Sequence, residues 1–252
     1  MILNEFLMIL TQGMRSKAYL QNMIQNKLLP NHIILMTSTN HTECWDSSNR
    51  NNPEWTMYFN AYESIVQTLT ASKIPYEEIN TNDCNNQRII ESLKARNENY
   101  VIFTGGGILK KEILSINKKF IHIHPGYIPD YRGSTCFYYS IINDGNCGAT
   151  AFFMNEGIDC GDIIKKKKFK MPTILDIDNI FDPHMRSELL IEILKDYVNQ
   201  GEFHVKPQNH DKGETYFIIH PILKHLAILE SEKEGIKNRH FITQNSYLHN
   251  HQ

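Results

Sequence analysis

Short apolar runs alternate with helical patterns over the first two hundred residues, and this alternation restricts the fold more than any other feature of the sequence. Phe6–Leu10 is an apolar run, and apolar residues then recur at helical spacing from Ala18 to Leu28. Ile33–Met36 is a second apolar run, and Tyr100–Phe103 is a later one. Repeated strand–helix–strand units predict an α/β fold, in which helices cover both faces of a mostly parallel sheet.

The same patterns place further elements. We predict one helix from Pro53 through Leu69, where Pro53 occupies the first helical position. Asp182 and Pro183 form a good helix start, and Gly201 ends the periodic pattern that follows. Residues 203–252 predict a short strand and a turn, which is too little for an independent domain.

Composition and charge exclude several classes of protein. With 41% hydrophobic and 21% charged residues, the 252-residue chain can bury a sizeable core. A net charge of −2 gives no electrostatic reason to expect a nucleic-acid partner. No apolar run is long enough to span a membrane, and the N-terminus lacks the pattern of a signal peptide. Five scattered cysteines fit a reducing compartment, so we expect a cytoplasmic protein.

The chemically richest stretch is a strand that ends in two histidines. His122 and His124 lie one residue apart, so both imidazoles project from the same face of the strand. Pro125 and Gly126 end the strand, at the edge of a parallel sheet where ligands usually bind. Asp159 follows in a glycine-flanked loop, from which a carboxylate can orient a histidine. We therefore expect these three residues to form a site.

Two other kinds of site remain possible from these residues. A His-x-His strand can hold a divalent metal ion in a hydrolase, with Asp130 or Asp159 as a further ligand. The chain has 12 histidines, and His210 and His220 are candidates to complete such a set. A non-catalytic module that senses a bound folate or nucleotide is the other alternative.

The arrangement of these residues resembles the catalytic segment of the folate-dependent formyltransferases. The matching pieces are His124-Pro125, Pro129, Arg132-Gly133 and the segment Gly157–Asp162. The motif covers some sixty residues, and a looser similarity in element order extends over roughly residues 5–200. The resemblance implies a Rossmann-like fold with a catalytic domain at 1–202 and a short C-terminal extension at 203–252.

The resemblance also implies roles for individual residues. His124 and Asp159 take the family's catalytic positions, and N10-formyltetrahydrofolate is the expected co-substrate. His122 stands where the family usually has asparagine, and we expect its ring to donate a hydrogen bond to the formyl oxygen in place of the amide. No metal is expected. The expected folate-binding residues are Gly105, Gly106, Gly107, Ile108, Leu109, Asn155 and Gly157.

The amine that would receive the formyl group is harder to predict. The long tail and the aromatic region around Trp45 and Trp55 resemble the sugar N-formyltransferases, which implies a small-molecule acceptor, a nucleotide-linked amino sugar. We expect Trp45 and Trp55 to contact that substrate, and Arg132 to pair with its phosphate or carboxylate. Glycinamide ribonucleotide is an alternative acceptor. A homodimer is possible.

Overall fold

The computed structural model describes residues 1–38, 52–171, 176–209 and 211–233. Within these ranges it has nine strands: β1 (Ile2–Leu10), β2 (Leu29–Thr37), β3 (Tyr76–Asn80), β4 (Tyr100–Phe103), β5 (Lys119–His124), β6 (Tyr131–Gly133), β7 (Cys147–Phe153), β8 (Ile163–Phe169) and β9 (Glu214–Tyr216). The α-helices are α1 (Met14–Gln25), α2 (Ile65–Ser72), α3 (Gln87–Lys94), α4 (Lys111–Leu114), α5 (Cys136–Asp144), α6 (Asp182–Gln200) and α7 (residues 221–233). None of the described helices is long and apolar enough to cross a bilayer.

Seven strands form one sheet in the order β3-β2-β1-β4-β5-β7-β8. The strands from β3 to β5 are parallel, whereas β7 runs antiparallel to both β5 and β8. This mostly parallel sheet confirms the predicted α/β class. It also brings the C-terminal ends of β1, β4 and β5 to one edge, with β5 ending at His124.

The side chains of β1 show why helices cover both faces. Phe6, Met8 and Leu10 are fully buried in the core that α1, α2, α5 and α6 form on one face. Leu7 and Ile9 point the other way, into the core that α3 and α4 cover. A strand that is apolar on both sides must be buried on both sides, as the central strands of parallel sheets are.

The single helix predicted from Pro53 through Leu69 is wrong. A 3-10 turn at Pro53–Thr56 is followed by an irregular segment, and α2 begins only at Ile65. Ser64 starts α2 through a capping box, in which its hydroxyl accepts the Gln67 N–H and the Gln67 side chain accepts the Ser64 N–H. These reciprocal bonds fix a new helix start.

The lysine-rich strand β8 lies at the edge of the sheet. Lys165 and Lys167 form ion pairs with acidic residues of α6. Lys166 lies 4.1 Å from the centre of the Tyr127 ring. The charged row keeps this edge solvated and unattractive for pairing with another strand.

The C-terminal extension packs on the rest of the chain at several points. Lys206 forms a β-bridge with Ile163, the first residue of β8, and β9 pairs in parallel with β6. The strand prediction is confirmed, but the predicted turn at residues 220–223 is wrong, because residues 221–233 form α7. Sequence periodicity missed α7 because its buried side consists of Ala227 and Ser231, whereas the larger apolar residues Ile222 and Leu226 are largely exposed.

Candidate active site

The carboxyl edge of the sheet opens into a cavity of about 270 Å³. The turns that follow β1, β4 and β5 form part of its walls, because the parallel strands bring them together. The loop after the antiparallel strand β7 and Arg186 of α6 complete the lining. All three predicted catalytic residues and all seven predicted folate-binding residues line it. The lining includes His122, His124 and Asp159, with Gly105, Gly106, Gly107, Ile108, Leu109, Asn155 and Gly157.

His124 and Asp159 form a pair on one wall of the cavity. His124 Nδ1 lies 3.3 Å from Asp159 Oδ2, and His124 Nε2 lies 3.0 Å from the carbonyl oxygen of Tyr131. A carbonyl can only accept, so Nε2 must carry the proton in this hydrogen bond. The nitrogen that remains to exchange protons is Nδ1, which faces the carboxylate.

Asp159 is held in a strained position. It has a φ of 51°, in the left-handed region that few residues other than glycine adopt. Its Oδ2 accepts the backbone N–H of Gly133 at 2.8 Å. Such local strain persists only where the surrounding structure fixes it, and it is common at functional sites.

Gln208, in the C-terminal extension, fixes the loop that carries this carboxylate. Its Nε2 donates to the carbonyl oxygens of Asp159 at 2.9 Å and Gly161 at 2.5 Å. The same loop is also tightly packed, because a methyl group added at Gly161 would lie 1.5 Å from the carbonyl oxygen of Phe153. The sequence analysis missed Gln208, because nothing in a lone glutamine of a polar tail indicates this contact.

We expect Gln208→Ala to lower kcat by about tenfold. Loss of two buried hydrogen bonds removes roughly 1–3 kcal/mol that holds the Asp159 backbone in place. Lys206→Ala, which changes an exposed side chain two residues away, should retain the wild-type rate. Steady-state kinetics of the two variants would test this, and equal rates would show that Gln208 does not position the loop.

Burial sets the protonation state of His124. Burial lowers its pKa below 6.5; the Asp159 carboxylate opposes that shift and Arg186 adds to it. The residue is therefore neutral at pH 7, with an unprotonated Nδ1. A neutral histidine beside a carboxylate can accept a proton and then be stabilised as a cation.

His122 lies two residues earlier on the same strand face. Its ring sits between Phe103 and Phe152, and its Nδ1 is buried without a hydrogen-bond partner. Burial, followed by repulsion from Arg15, Arg186 and His124, lowers its pKa well below 6.5. A hydrogen bond to the Phe103 backbone opposes this shift. The ring is thus neutral, and it lines the cavity with a proton on one of its two nitrogens.

These histidines should make the fold sensitive to acid. Burial lowers the pKa of His32, His122, His124 and His184. Below pH 6.5 the unfolded chain therefore binds more protons than the folded chain, and stability falls as pH falls. Each such proton is worth up to roughly 1.4 kcal/mol per pH unit. Urea unfolding at pH 7.5 and 5.5 should give a lower free energy of unfolding at pH 5.5, and an unchanged value would contradict this account.

The turn after β4 has the shape that a flat ring requires. Gly107 has a φ of 94°, and the backbone from Gly106 to Ile108 is exposed. Asn85 holds this turn, since its Nδ2 donates to the Ile108 carbonyl at 3.0 Å and its Oδ1 accepts the Lys110 N–H at 2.7 Å. Across the cavity, Ile158 is 54% exposed and Ile108 is 67% exposed. Two exposed apolar side chains and a bare backbone fit a planar heteroaromatic ligand such as a pteridine.

Two arginines that the sequence analysis did not assign to the site also line the cavity. Arg186 Nε donates to Asp182 Oδ1 at 2.9 Å, and its Nη1 donates to the Ile123 carbonyl at 3.0 Å. Arg15 Nη1 donates to the carbonyls of Thr104 and Gly105, each at 3.2 Å. The turn after β1 could have pointed to Arg15, since it follows Gly13 at a helix start. No pattern in the sequence marks Arg186.

The predicted substrate contacts do not meet in this cavity. Trp55 is 4% exposed in the core, where its Nε1 donates to Asp176 Oδ2 at 3.1 Å. Arg132 is buried beside β9, and its Nη2 donates to the Gly213 carbonyl at 3.3 Å. Neither residue lines the cavity, because hydrogen bonds elsewhere hold both side chains. Trp45 lies outside the described residues.

Within the ranges that the structure describes, no set of ligands supports the alternative of a metal site. No group of three or more His, Cys, Asp or Glu side chains there could hold an ion. His220 is exposed, and its Nδ1 accepts the backbone N–H of Ile222. His210 falls outside the described residues.

One family model matches most of this chain. A family model described as formyl transferase matches residues 6–182. The methionyl-tRNA formyltransferase of Clostridioides difficile is 29% identical over 176 residues, which are 68% of this chain and 56% of that protein. The chain spans about half the length of the curated relatives that it matches.

Solved structures show the same fold at low identity. A sugar N-formyltransferase from a Shewanella species aligns with a TM-score of 0.54 and 18% identity, covering 90% of this chain and 87% of its own. HypX from Aquifex aeolicus, in complex with tetrahydrofolic acid, aligns with a TM-score of 0.55 and 15% identity. That alignment covers 90% of this chain and 34% of HypX.

Proposed function

Because this chain belongs to the formyl transferase family, whose model matches residues 6–182, we propose that it transfers a formyl group from N10-formyltetrahydrofolate to an amine. The observation that carries the proposal is the His124–Asp159 pair, with Nδ1 3.3 Å from the carboxylate on the wall of a cavity. The exposed turn Gly106–Ile108 provides the surface for the folate ring.

The folate supplies a formyl carbon that is open to attack by an amine. His124 Nδ1 accepts the proton that the amine nitrogen loses as its bond to that carbon forms. Asp159 stabilises the resulting imidazolium, which can return the proton to the departing nitrogen. His122 donates a ring N–H to the formyl oxygen as negative charge develops there.

The acceptor we favour is a nucleotide-linked amino sugar. The alignment with the sugar N-formyltransferase extends over nine-tenths of both chains and therefore reaches into the C-terminal extension. Methionyl-tRNA is the second candidate, because the curated relatives act on it by name and share 29% identity over the matched region. Fold alone cannot choose between acceptors.

An acceptor panel tests both levels of the proposal. The full chain would be incubated with N10-formyltetrahydrofolate and separately with nucleotide-linked amino sugars, methionyl-tRNA and glycinamide ribonucleotide, and formylated products would be identified by mass spectrometry. Product from an amino sugar alone supports the favoured acceptor, and product from methionyl-tRNA replaces it. No product from any amine, with intact folate binding, favours the sensing module instead.

We also propose a cytoplasmic location, which the thiols support. The four described cysteines, Cys84, Cys136, Cys147 and Cys160, are free, as expected of a reducing compartment. The homodimer stays a prediction, which light scattering of the purified chain would test.

A further inference from the structure

Arg15 brings a positive charge without a counterion to the cavity. Among the described residues no acidic side chain forms an ion pair with it, and its buried Nε has no hydrogen-bond partner. Burial and the nearby Arg186 lower its pKa to about 10, which still leaves the guanidinium charged at pH 7. A partly buried guanidinium without a counterion is stabilised when an anion enters the cavity beside it.

The neighbouring charges do not neutralise Arg15. Asp182 is the carboxylate at this end of the cavity, and it pairs with Arg186 at 2.9 Å. Two cations and one carboxylate leave one positive charge. The nearby start of α1 adds to it, because this helix has no side-chain cap and no acidic residue in its first turn.

Asp159 brings the opposite charge to the same cavity. It lies beside the neutral His124, and its side chain is 14% exposed. A molecule with an amine and an anionic group would therefore find a partner for each, with the amine near Asp159 and the anion near Arg15. In a cavity of about 270 Å³ the two groups must lie close together in the ligand.

From this charge arrangement we infer that Arg15 binds an anionic group, a carboxylate or a phosphate, of the molecule whose amine is formylated. The inference rests on the proposed function only in taking the ligand's other group to be an amine. Arg15 takes the part that the sequence predicted for Arg132, whose side chain does not reach the cavity.

A purely structural role for Arg15 is the competing explanation. Nη1 donates to the carbonyls at the end of β4, which helps to hold the turn at Gly105. That role uses one of the three guanidinium nitrogens and requires no charge. A ligand carboxylate or phosphate would use the remaining donors and the charge together.

Three small amines separate these explanations without requiring catalysis. Glycine, 2-aminoethyl phosphate and ethanolamine carry a carboxylate, a phosphate and a hydroxyl beside the same kind of amine. We would titrate each into the full chain at constant ionic strength and record the shift in Tm. We expect glycine or 2-aminoethyl phosphate to raise Tm and ethanolamine to leave it unchanged, and the stronger of the two identifies the anion.

Variants then assign the effect to Arg15. Arg15→Gln keeps a donor for the β4 carbonyls but loses the charge, and we expect it to bind the anionic amine roughly 10- to 100-fold more weakly. Arg88→Gln removes an exposed arginine of α3 and should bind as the wild type does. Arg15→Lys keeps the charge and serves if Arg15→Gln does not fold.

The outcomes also distinguish this inference from the proposed function. Equal shifts with all three amines, no shift with either anionic one, or an unchanged response in Arg15→Gln would overturn the anion site. Tetrahydrofolate binding and formyl transfer are measured separately. Transfer that is insensitive to Arg15 would remove the inference alone, whereas anion binding without transfer to any amine would remove the proposed function alone.

Discussion

Replacement of Asp159 by Asn should lower kcat by about 10²- to 10⁴-fold, the range expected when general base catalysis is lost. Asn keeps the shape of the side chain and can still accept the Gly133 N–H. It removes the charge that opposes the lowering of the His124 pKa by burial. His124 then becomes a weaker base, and its cationic form loses its stabilising partner.

The pH dependence of kcat/KM provides a second measurement on the same variant. In the wild type the acid limb should have its midpoint below pH 6.5, because burial lowers the pKa of His124. In Asp159→Asn that midpoint should move to still lower pH. Asp162→Asn, a change at an exposed carboxylate three residues along the loop, is the matched control and should leave both the rate and the profile as in the wild type.

The effects of replacing His124 and Asp159 on kcat should also be non-additive. If His124 and Asp159 act as one unit, the double variant His124→Ala/Asp159→Asn should be about as slow as His124→Ala alone. Full additivity of the two effects would mean that the 3.3 Å pair does not act as a unit. Wild-type turnover in Asp159→Asn would remove the proposed mechanism.

Replacement of His122 by Ala should lower kcat by about 10²- to 10³-fold, the usual cost of losing one donor to a developing oxyanion. The ring lines the cavity and is neutral because of its strongly lowered pKa, so one of its nitrogens carries a proton that it can donate. Binding of tetrahydrofolate should change much less than kcat, since the bond strengthens only as charge develops. Steady-state kinetics and a binding titration would separate the two quantities.

His122→Asn is the matched control for that experiment. Its amide can donate a hydrogen bond from nearly the same place, so we expect a rate within about tenfold of the wild type. It should also remove one acid-sensitive group and reduce the loss of stability at pH 5.5. Near-wild-type turnover of His122→Ala would show that the ring does not serve the oxyanion.

The sequence predicted those parts of the molecule that depend on local patterns. The apolar runs around β1, β2 and β4 give strands buried on both sides, and parallel strands place their C-terminal ends together. That geometry is sufficient to predict that His122 and His124 face one cavity. The glycines near Asp159 and in the turn Gly105–Gly107 mark places where backbone must bend or lie open.

The sequence could not predict contacts between distant polar side chains. Arg186 reaches the Ile123 carbonyl from the second turn of α6, and Gln208 reaches the Asp159 loop from 49 residues away. Neither contact has a periodic or local signature. For Trp55 the sequence suggested a contact that the structure does not show. Its position near a loop suggested contact with a ligand, but the side chain is buried against Asp176. Tertiary packing decided these positions.

The hydrogen bonds from Gln208 to the Asp159 loop have a consequence for how this chain can diverge. The matched family region ends at residue 182, yet the geometry of its acid group depends on an amide 26 positions further along the chain. Substitutions, insertions or a bound partner in that distal stretch can therefore retune the reactivity of the site without altering any of its signature residues. We therefore expect that a change in this distal stretch can alter the rate of the reaction while all the motif residues stay the same.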